Sequence, residues 1–478
     1  MDHSIRPRAW LRASEPVVIL ACVFGLILVF SRSFLIQSDE GYTLNAAWQV
    51  WTGLRMYDDF RLFVGPGSAY AVEAAWRIVG APSFLAARWV SVALGFAGSA
   101  GLYLLLRRLA VRGVSLATGL LLWLSLSSLY VLLNHNSFSS FAAIWFLLAV
   151  VRVVQARAGG RELSRELVLV GVAAGVVFWF LAIKGSLLAF TGATYLWATS
   201  PPGRRARPVL LVAAGFAATV APLFLIWNPV TLIRQWLIIP ITGNYLGHTS
   251  ASGVYRWAAL ALVAGMGVTA VRLRDAVLQA LACVQAALFA AMLHNMEASH
   301  FAINSFPAIV FGVFVLHDRV VRRRGAAGAQ VPAAVVMSMT LAFLLVWTGM
   351  TADGAAYGEV SVLQADLLGK RPKPVIKPRV AQAHAIYAGP FLPGLYYLLG
   401  KKNPFFVSET VVCDEACQRR LVTQLENVKP EIAFVDYEMI SKLHYTQEGP
   451  VDVYLREHYT PCPADGIPVL AVDPSWCP

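Results

Sequence analysis

Residues 38–53 read SDEGYTLNAAWQVWTG, and they follow shortly after a run, Val17 to Phe30, that is apolar without interruption. The chain therefore delivers two adjacent carboxylates, Asp39 and Glu40, at the mouth of a hydrophobic span. Adjacent acids at a bilayer face repel each other and resist desolvation, so stability alone does not place them there. The side of the membrane they face decides how the rest of the chain is read.

Composition makes the membrane reading firm. The 478 residues are 58% hydrophobic and only 14% charged, with a mean hydropathy of +0.61; a soluble domain carries about 25% charged residues. With roughly 20 apolar residues per crossing, the sequence predicts about eleven spans, at 16–36, 83–106, 114–133, 138–154, 167–183, 185–199, 209–227, 255–271, 276–293, 301–318 and 331–350. The first has a basic flank (Arg6, Arg8, Arg12) but no small-x-small cleavage site after Phe30, so it reads as an uncleaved anchor. The expected fold is an α-helical polytopic membrane protein, with a transmembrane part over 1–350 and a smaller domain over 351–478.

Orientation follows from the basic residues of short loops. Alternate loops hold 19 basic residues against 5, the rich set including Arg107, Arg108, Arg152, Arg157, Arg204, Arg272 and Arg322 to Arg324. The N-terminus is expected in the cytoplasm of a multi-pass plasma (inner) membrane protein. The segment 37–82 and the C-terminal domain are then external. The net charge of +12 is mostly this topology signal, and the scattered arginines exclude a nucleic-acid partner.

Cysteine usage agrees. Cys22 and Cys283 lie within spans as packing residues, whereas Cys413, Cys417, Cys462 and Cys477 fall in the external tail, where disulfides persist. Four cysteines allow three pairings, and the sequence does not choose among them. The tail carries a charge of −3, unlike the arginine-rich remainder. A proline-rich linker (KRPKPVIKPR, 370–379) precedes an expected helix over 414–428 and short strands at 432–435 and 469–472, a small α/β domain.

In the external segment 37–82, residues Tyr42 to Leu54 have apolar spacing that predicts an amphipathic helix in the membrane interface, with Trp48 and Trp51 as anchors. YDDFRLFVGPGSAY (57–70) then leads into a second short helix over 68–79. Asp58-Asp59 reads as a turn closed by Asx-type hydrogen bonds. A second external loop, 228–254, holds Arg234, Trp236, Tyr245 and His248, and a third, 294–300, reads HNMEASH. His294, Glu297 and His300 there fit a span boundary better than a metal site, and His135 in LNHNSF reads as a loop tip.

Lys184 is the only lysine in the first 369 residues. It sits between two apolar stretches, VVFWFLAI and GSLLAFTGATYLWA, at an expected external hairpin tip. An ionisable group there is a functional candidate, and a compact ammonium suits a phosphate oxygen. Asp39, Glu40, Asp58, Asp59 and Glu297 share that expected face, while the spans are nearly free of acids. An ion-coupled transporter would instead carry ionisable groups near mid-membrane on repeated, broken helices.

These pieces together resemble the GT-C glycosyltransferases, in the branch of the protein O-mannosyltransferases and the lipid A aminoarabinose transferase. The resemblance rests on the acid pair after the first span, the Tyr/Ala-rich helix and Y-D-x-F turn, FLAIKGSLLAF (180–190), ASHFAINSFPAIVFG (298–312), and GPFLPGLYYLLGKKNPF (389–405) followed by KPEIAFVDY (429–437). It implies transfer of a sugar from a polyprenyl-phosphate donor to a glycan, lipid or protein acceptor on the external face, with membrane lipids around the chain and no cofactor or metal. Asp39 would be the general base, with inversion at the anomeric carbon. Lys184 would neutralise the phosphate left on the lipid, joined by Arg61, His300 and Arg234. Glu40 and Asp59 stand as supporting acids. The branch's D-x-K-P-P run is replaced here by DDFRLFVGPG, with Arg61 the only cation. The alternative from another class is a lipid-linked-sugar flippase that binds the same ligands without chemistry, and a third is a non-catalytic partner in envelope assembly.

Overall fold

The computed structural model describes residues 39–109, 133–161, 164–238, 253–293, 296, 298–324, 382–389, 392–407, 413–435, 448–462 and 469–477. The expected spans at 16–36 and 331–350, most of that at 114–133, the linker 370–379, Cys22, Tyr245, His248, His294 and Glu297 lie outside them.

The expected helices of the membrane part are present where they are described: α1 (Asp39–Trp51), α2 (Gly67–Val79), α3 (Phe84–Leu109), α4 (His135–Ala158), α5 (Ser164–Phe180), α6 (Ala182–Ala198), α7 (Ala206–Ile226), α8 (Gly253–Leu273), α9 (Ala276–Met292), α10 (Ala298–Asn304) and α11 (Phe306–Arg324). Four helices, Phe84–Leu109, His135–Ala158, Pro202–Ile226 and Gly253–Leu273, are long and apolar enough to cross a membrane by themselves. Their ends follow local chemistry. Asn134 caps α4 by accepting from the Asn136 N–H, and Asp275 caps α9 by accepting from the Leu278 N–H. Gly80, at φ 82°, closes α2 in the left-handed region that glycine adopts without strain.

α4 packs between α3 and α5, and α5 packs against α7. The α5–α7 crossing depends on glycine. A methyl group at Gly171 would overlap the Val212 carbonyl, and one at Gly215 would overlap the Val168 carbonyl. Backbone thus lies on backbone, and the Trp179 indole N–H donates to the Thr219 carbonyl across the same seam at 2.9 Å. α5 and α6 are nearly continuous, broken at Leu181, whose backbone is extended at φ −148°. Gly185 lies against the backbone of Phe178, so α6 turns back tightly on α5.

The span expected at 301–318 is two helices, α10 and α11, interrupted at Ser305. Pro307 lacks an N–H and sits in the first turn of α11, where none is needed. The fully buried Gln285 of α9 bridges the break, donating to the Asn304 carbonyl at 2.8 Å and accepting from the Ala308 N–H at 3.0 Å.

α1 buries Tyr42, Leu44, Ala47 and Trp48 against α2 and a C-terminal helix, α12 (Gly394–Leu399). The Trp48 indole N–H donates to the Lys401 carbonyl at 2.7 Å, and Tyr397 stacks on Trp76 with centroids 5.3 Å apart. Trp48 thus anchors the C-terminal domain instead of headgroups.

That domain contains β1 (Ile386–Ala388), α13 (Glu415–Val428), β2 (Ile432–Phe434), α14 (Pro450–His458), β3 (Thr460–Pro461) and β4 (Val469–Ala471), with strands in the order β1-β2-β4-β3. β1 and β2 are parallel and the other pairs antiparallel. The structure selects one of the three cysteine pairings: Cys413–Cys417 at the start of α13, and Cys462–Cys477 tying β3 to the tail.

Two outcomes test this architecture. Gly171→Leu is expected to force α5 and α7 apart and lower unfolding stability by about 1–3 kcal/mol. Gly203→Ala, where a methyl group meets open space, serves as the neutral control in the same thermal unfolding measurement. Peptide mapping without reductant is expected to recover Cys413 with Cys417 and Cys462 with Cys477, and any crossed pair contradicts the arrangement.

Candidate active site

The site is assembled around the start of α4. His135 to Ser140 rises about 7.5 Å at 1.5 Å per residue, and four other elements meet this end of the helix or Leu133 just before it. From α1, Glu40 accepts from the Leu133 N–H at 3.4 Å. Its other carboxylate oxygen pairs with Arg88 of α3 at 2.8 Å, with both side chains buried. From α10, His300 Nε2 lies 3.0 Å from the Asn136 amide nitrogen. From α6, the Lys184 ammonium donates to Ser139 Oγ at 2.9 Å and Ser140 Oγ at 3.0 Å. Ser140 in turn donates to the Asn304 side-chain carbonyl at 3.4 Å, and Asn304 donates to the His300 carbonyl at 2.8 Å.

The segment between α1 and α2 closes over this cluster at the α5–α6 break. Gly65 and Gly67 lie directly on Trp179 and Phe180, where a methyl group at either would overlap the Trp179 carbonyl. Only a glycine pair lets the VGPG stretch approach so closely to the helix break that carries Lys184.

The sequence-based expectations divide as follows. Asp39 is the first residue of α1, immediately before Glu40. Lys184 is not at an exposed hairpin tip: it lies in the first turn of α6 with zero exposure. The extended residue Leu181 starts the new helix so that Lys184 turns toward α4 instead of snorkelling. Its two partners are hydroxyls, and among the described residues no carboxylate pairs with it. His300 joins the same cluster.

Arg61 and Arg234 belong to a different place. The Arg61 N–H donates to the Phe406 carbonyl at 2.6 Å. Its guanidinium sits 4.9 Å from the Phe406 ring centroid, and that of Arg420 sits 4.3 Å from the same centroid. Burial, followed by the charges of Arg420 and Arg234, holds Arg61 below its ordinary pKa. Gln235, next to Arg234, accepts from the Leu62 N–H at 3.3 Å. Arg61 and Arg420 thus meet at the seam between the segment that joins α1 to α2 and the C-terminal domain. Asp59 is exposed and accepts from the Arg55 N–H at 2.7 Å, closing the turn expected at Asp58-Asp59.

Several residues here escaped the sequence reading. Asn134, Asn136, Ser139 and Ser140 belong to LNHNSFSS, whose polar run just before an apolar stretch is an N-cap signal. Arg88 is an arginine within an expected span, a feature that marks a buried partner. Arg420 offered no signal, since only tertiary packing brings it to Phe406.

No family model and no curated protein matches the chain. Its fold, however, is shared with solved membrane proteins. The crystal structure of ArnT from Cupriavidus metallidurans bound to undecaprenyl phosphate superposes with a TM-score of 0.62 at 15% identity, over 97% of this chain and 98% of that one. The archaeal oligosaccharyltransferase AglB from Archaeoglobus fulgidus, in complex with an inhibitory peptide and a dolichol-phosphate, superposes with a TM-score of 0.55 at 12% identity, over 98% of this chain and 75% of that one. Both are GT-C proteins. The resemblance read from the sequence therefore holds for the fold, across nearly the whole chain.

The Glu40–Arg88 pair gives this geometry a direct check. Arg88→Met leaves a buried carboxylate without its guanidinium and is expected to lower stability by about 3–5 kcal/mol. The double variant Glu40→Leu/Arg88→Met removes both charges and is expected to recover much of that loss, as read by denaturant unfolding.

Proposed function

We propose that this protein is a glycosyltransferase of the membrane that moves a sugar from a polyprenyl-phosphate donor to an acceptor on the external face. The observation that carries this reading is the buried Lys184 ammonium, matched among the described residues only by the neutral hydroxyls of Ser139 and Ser140 on α4, just before which Leu133 meets Glu40. A buried cation without a carboxylate is poised for an anionic ligand, and a lipid phosphate supplies one. The fold supports the same chemistry, because the two similar structures were solved with undecaprenyl phosphate and with a dolichol-phosphate.

In this mechanism Asp39 takes the proton from the acceptor nucleophile as it attacks the anomeric carbon. The carbon–oxygen bond to the lipid phosphate breaks, its electron pair stays on the phosphate, and Lys184 stabilises the charge that grows there. A positioned base of this kind contributes on the order of 10²–10⁴-fold. A double displacement would require a second, free carboxylate as nucleophile. Glu40 is bound to Arg88 and the Leu133 N–H, which favours single displacement with inversion and gives Glu40 the task of holding the start of α1. The acceptor approaches from the external segment, beneath the C-terminal domain docked on α1.

Mass spectrometry of the lipid that co-purifies with the protein identifies the donor for the assay. With that donor, Asp39→Asn is expected to lower transfer at least about 100-fold while leaving undecaprenyl phosphate binding intact. Unchanged turnover removes Asp39 as the base, and lipid translocation without any transfer identifies a flippase instead.

A further inference from the structure

The first turn of α4 contains two buried polar groups that the fold itself leaves unmet. Ser137 is fully buried and Asn136 is 4% exposed, yet among the described residues Ser137 Oγ and Asn136 Oδ1 have no hydrogen-bond partner. Native interiors leave few such groups. Both lie at the amino end of a helix 24 residues long, the end at which aligned peptide dipoles favour an anion. One turn further along, Lys184 uses two of its three N–H donors on Ser139 and Ser140.

We propose that Asn136 and Ser137, with the amino end of α4, complete a phosphate-binding cradle with Lys184, and that the group it takes is the phosphate of a polyprenyl phosphate. This rests on the function proposed above and adds two binding residues to it. Asn136 lies on the face of α4 that Lys184 of α6 meets, because residues 136, 139 and 140 stand at helical spacing. The donors are separated by about one turn, ~5.4 Å, a gap that a tetrahedral phosphate with oxygens on every side spans. Only one orientation of the Asn136 carboxamide, the reverse of the one in which its nitrogen faces His300, turns a donor toward a phosphate. With His300 protonated at Nε2, the ring donates to the amide oxygen and the amide nitrogen turns toward the phosphate. Ser137 adds a hydroxyl donor, and a dry site of this kind strengthens each hydrogen bond to the anion.

The test is binding of undecaprenyl phosphate to the full-length protein in nanodiscs, with undecaprenol and inorganic phosphate as comparison ligands. Asn136→Ala and Ser137→Ala are each expected to weaken undecaprenyl phosphate about tenfold and to leave undecaprenol unchanged. Ser137→Thr keeps the hydroxyl and is expected to bind as the wild type does. Asn136→Asp is decisive, because a carboxylate still accepts from His300 but repels a phosphate. It is expected to weaken undecaprenyl phosphate more than Asn136→Ala does, by about 100-fold. An Asn136→Asp variant that binds as well as Asn136→Ala, or better, shows a purely structural hydrogen bond and overturns the proposal. Inorganic phosphate that protects the wild type as strongly as the lipid overturns the lipid assignment. If the wild type does not prefer undecaprenyl phosphate over undecaprenol, the proposed function itself falls. Wild-type preference with unaffected Asn136 and Ser137 variants removes only these two residues.

Discussion

The ammonium of Lys184 sits at zero exposure, held by two serine hydroxyls. Burying a charge is unfavourable unless something compensates it, and hydroxyl dipoles compensate an ammonium only partly. The surrounding structure is arranged to keep it there. The chain breaks at Leu181 so that Lys184 opens a new helix, and Gly185 brings that helix onto Phe178. α4 then presents Ser139 and Ser140 at the correct height. Moving the lysine one position along α6 would rotate it by about 100°, away from α4.

The second charge in the neighbourhood is handled differently. Glu40 has a full counter-charge in Arg88, and the pair ties the start of α1 to α3 while touching the backbone just before α4. Asp39 is the preceding residue, so its backbone is placed by the pair beside it. One buried ion pair thereby locates α1, and one buried cation awaits an anion. Glycines make the convergence possible, since Gly65 and Gly67 bring the segment between α1 and α2 onto the α5–α6 break without intervening side chains.

Much of this was legible in the sequence because a bilayer restricts what a chain can do. Apolar runs of span length, arginines in alternate loops, and four of the six cysteines gathered in one tail each reflect a single strong constraint. The helices α3, α4 and α7 to α9 accordingly fall close to where hydropathy places them. The failures share a cause as well. Trp48 has the pattern of an interfacial anchor, but the C-terminal domain offers a drier partner in Tyr397 and the Lys401 carbonyl. The 301–318 stretch has the hydropathy of one span, yet Gln285 from the preceding helix makes a break at Ser305 tolerable.

By itself, the sequence determined the membrane class, the acid pair after the first apolar run, the isolated lysine, and a small disulfide-bearing α/β tail. These depend on composition and local period, which each segment carries alone. Only the tertiary structure decided that Lys184 is buried, that Glu40 belongs to Arg88, that His300 meets Asn136, that Arg61 and Arg234 gather with Arg420 elsewhere, and which cysteines pair. Apart from the cysteine pairs, which are local, each of those is a meeting of residues far apart in the chain. Such meetings depend on how closely two backbones approach and on which buried donors and acceptors remain to be satisfied, and neither quantity is a property of a segment read alone.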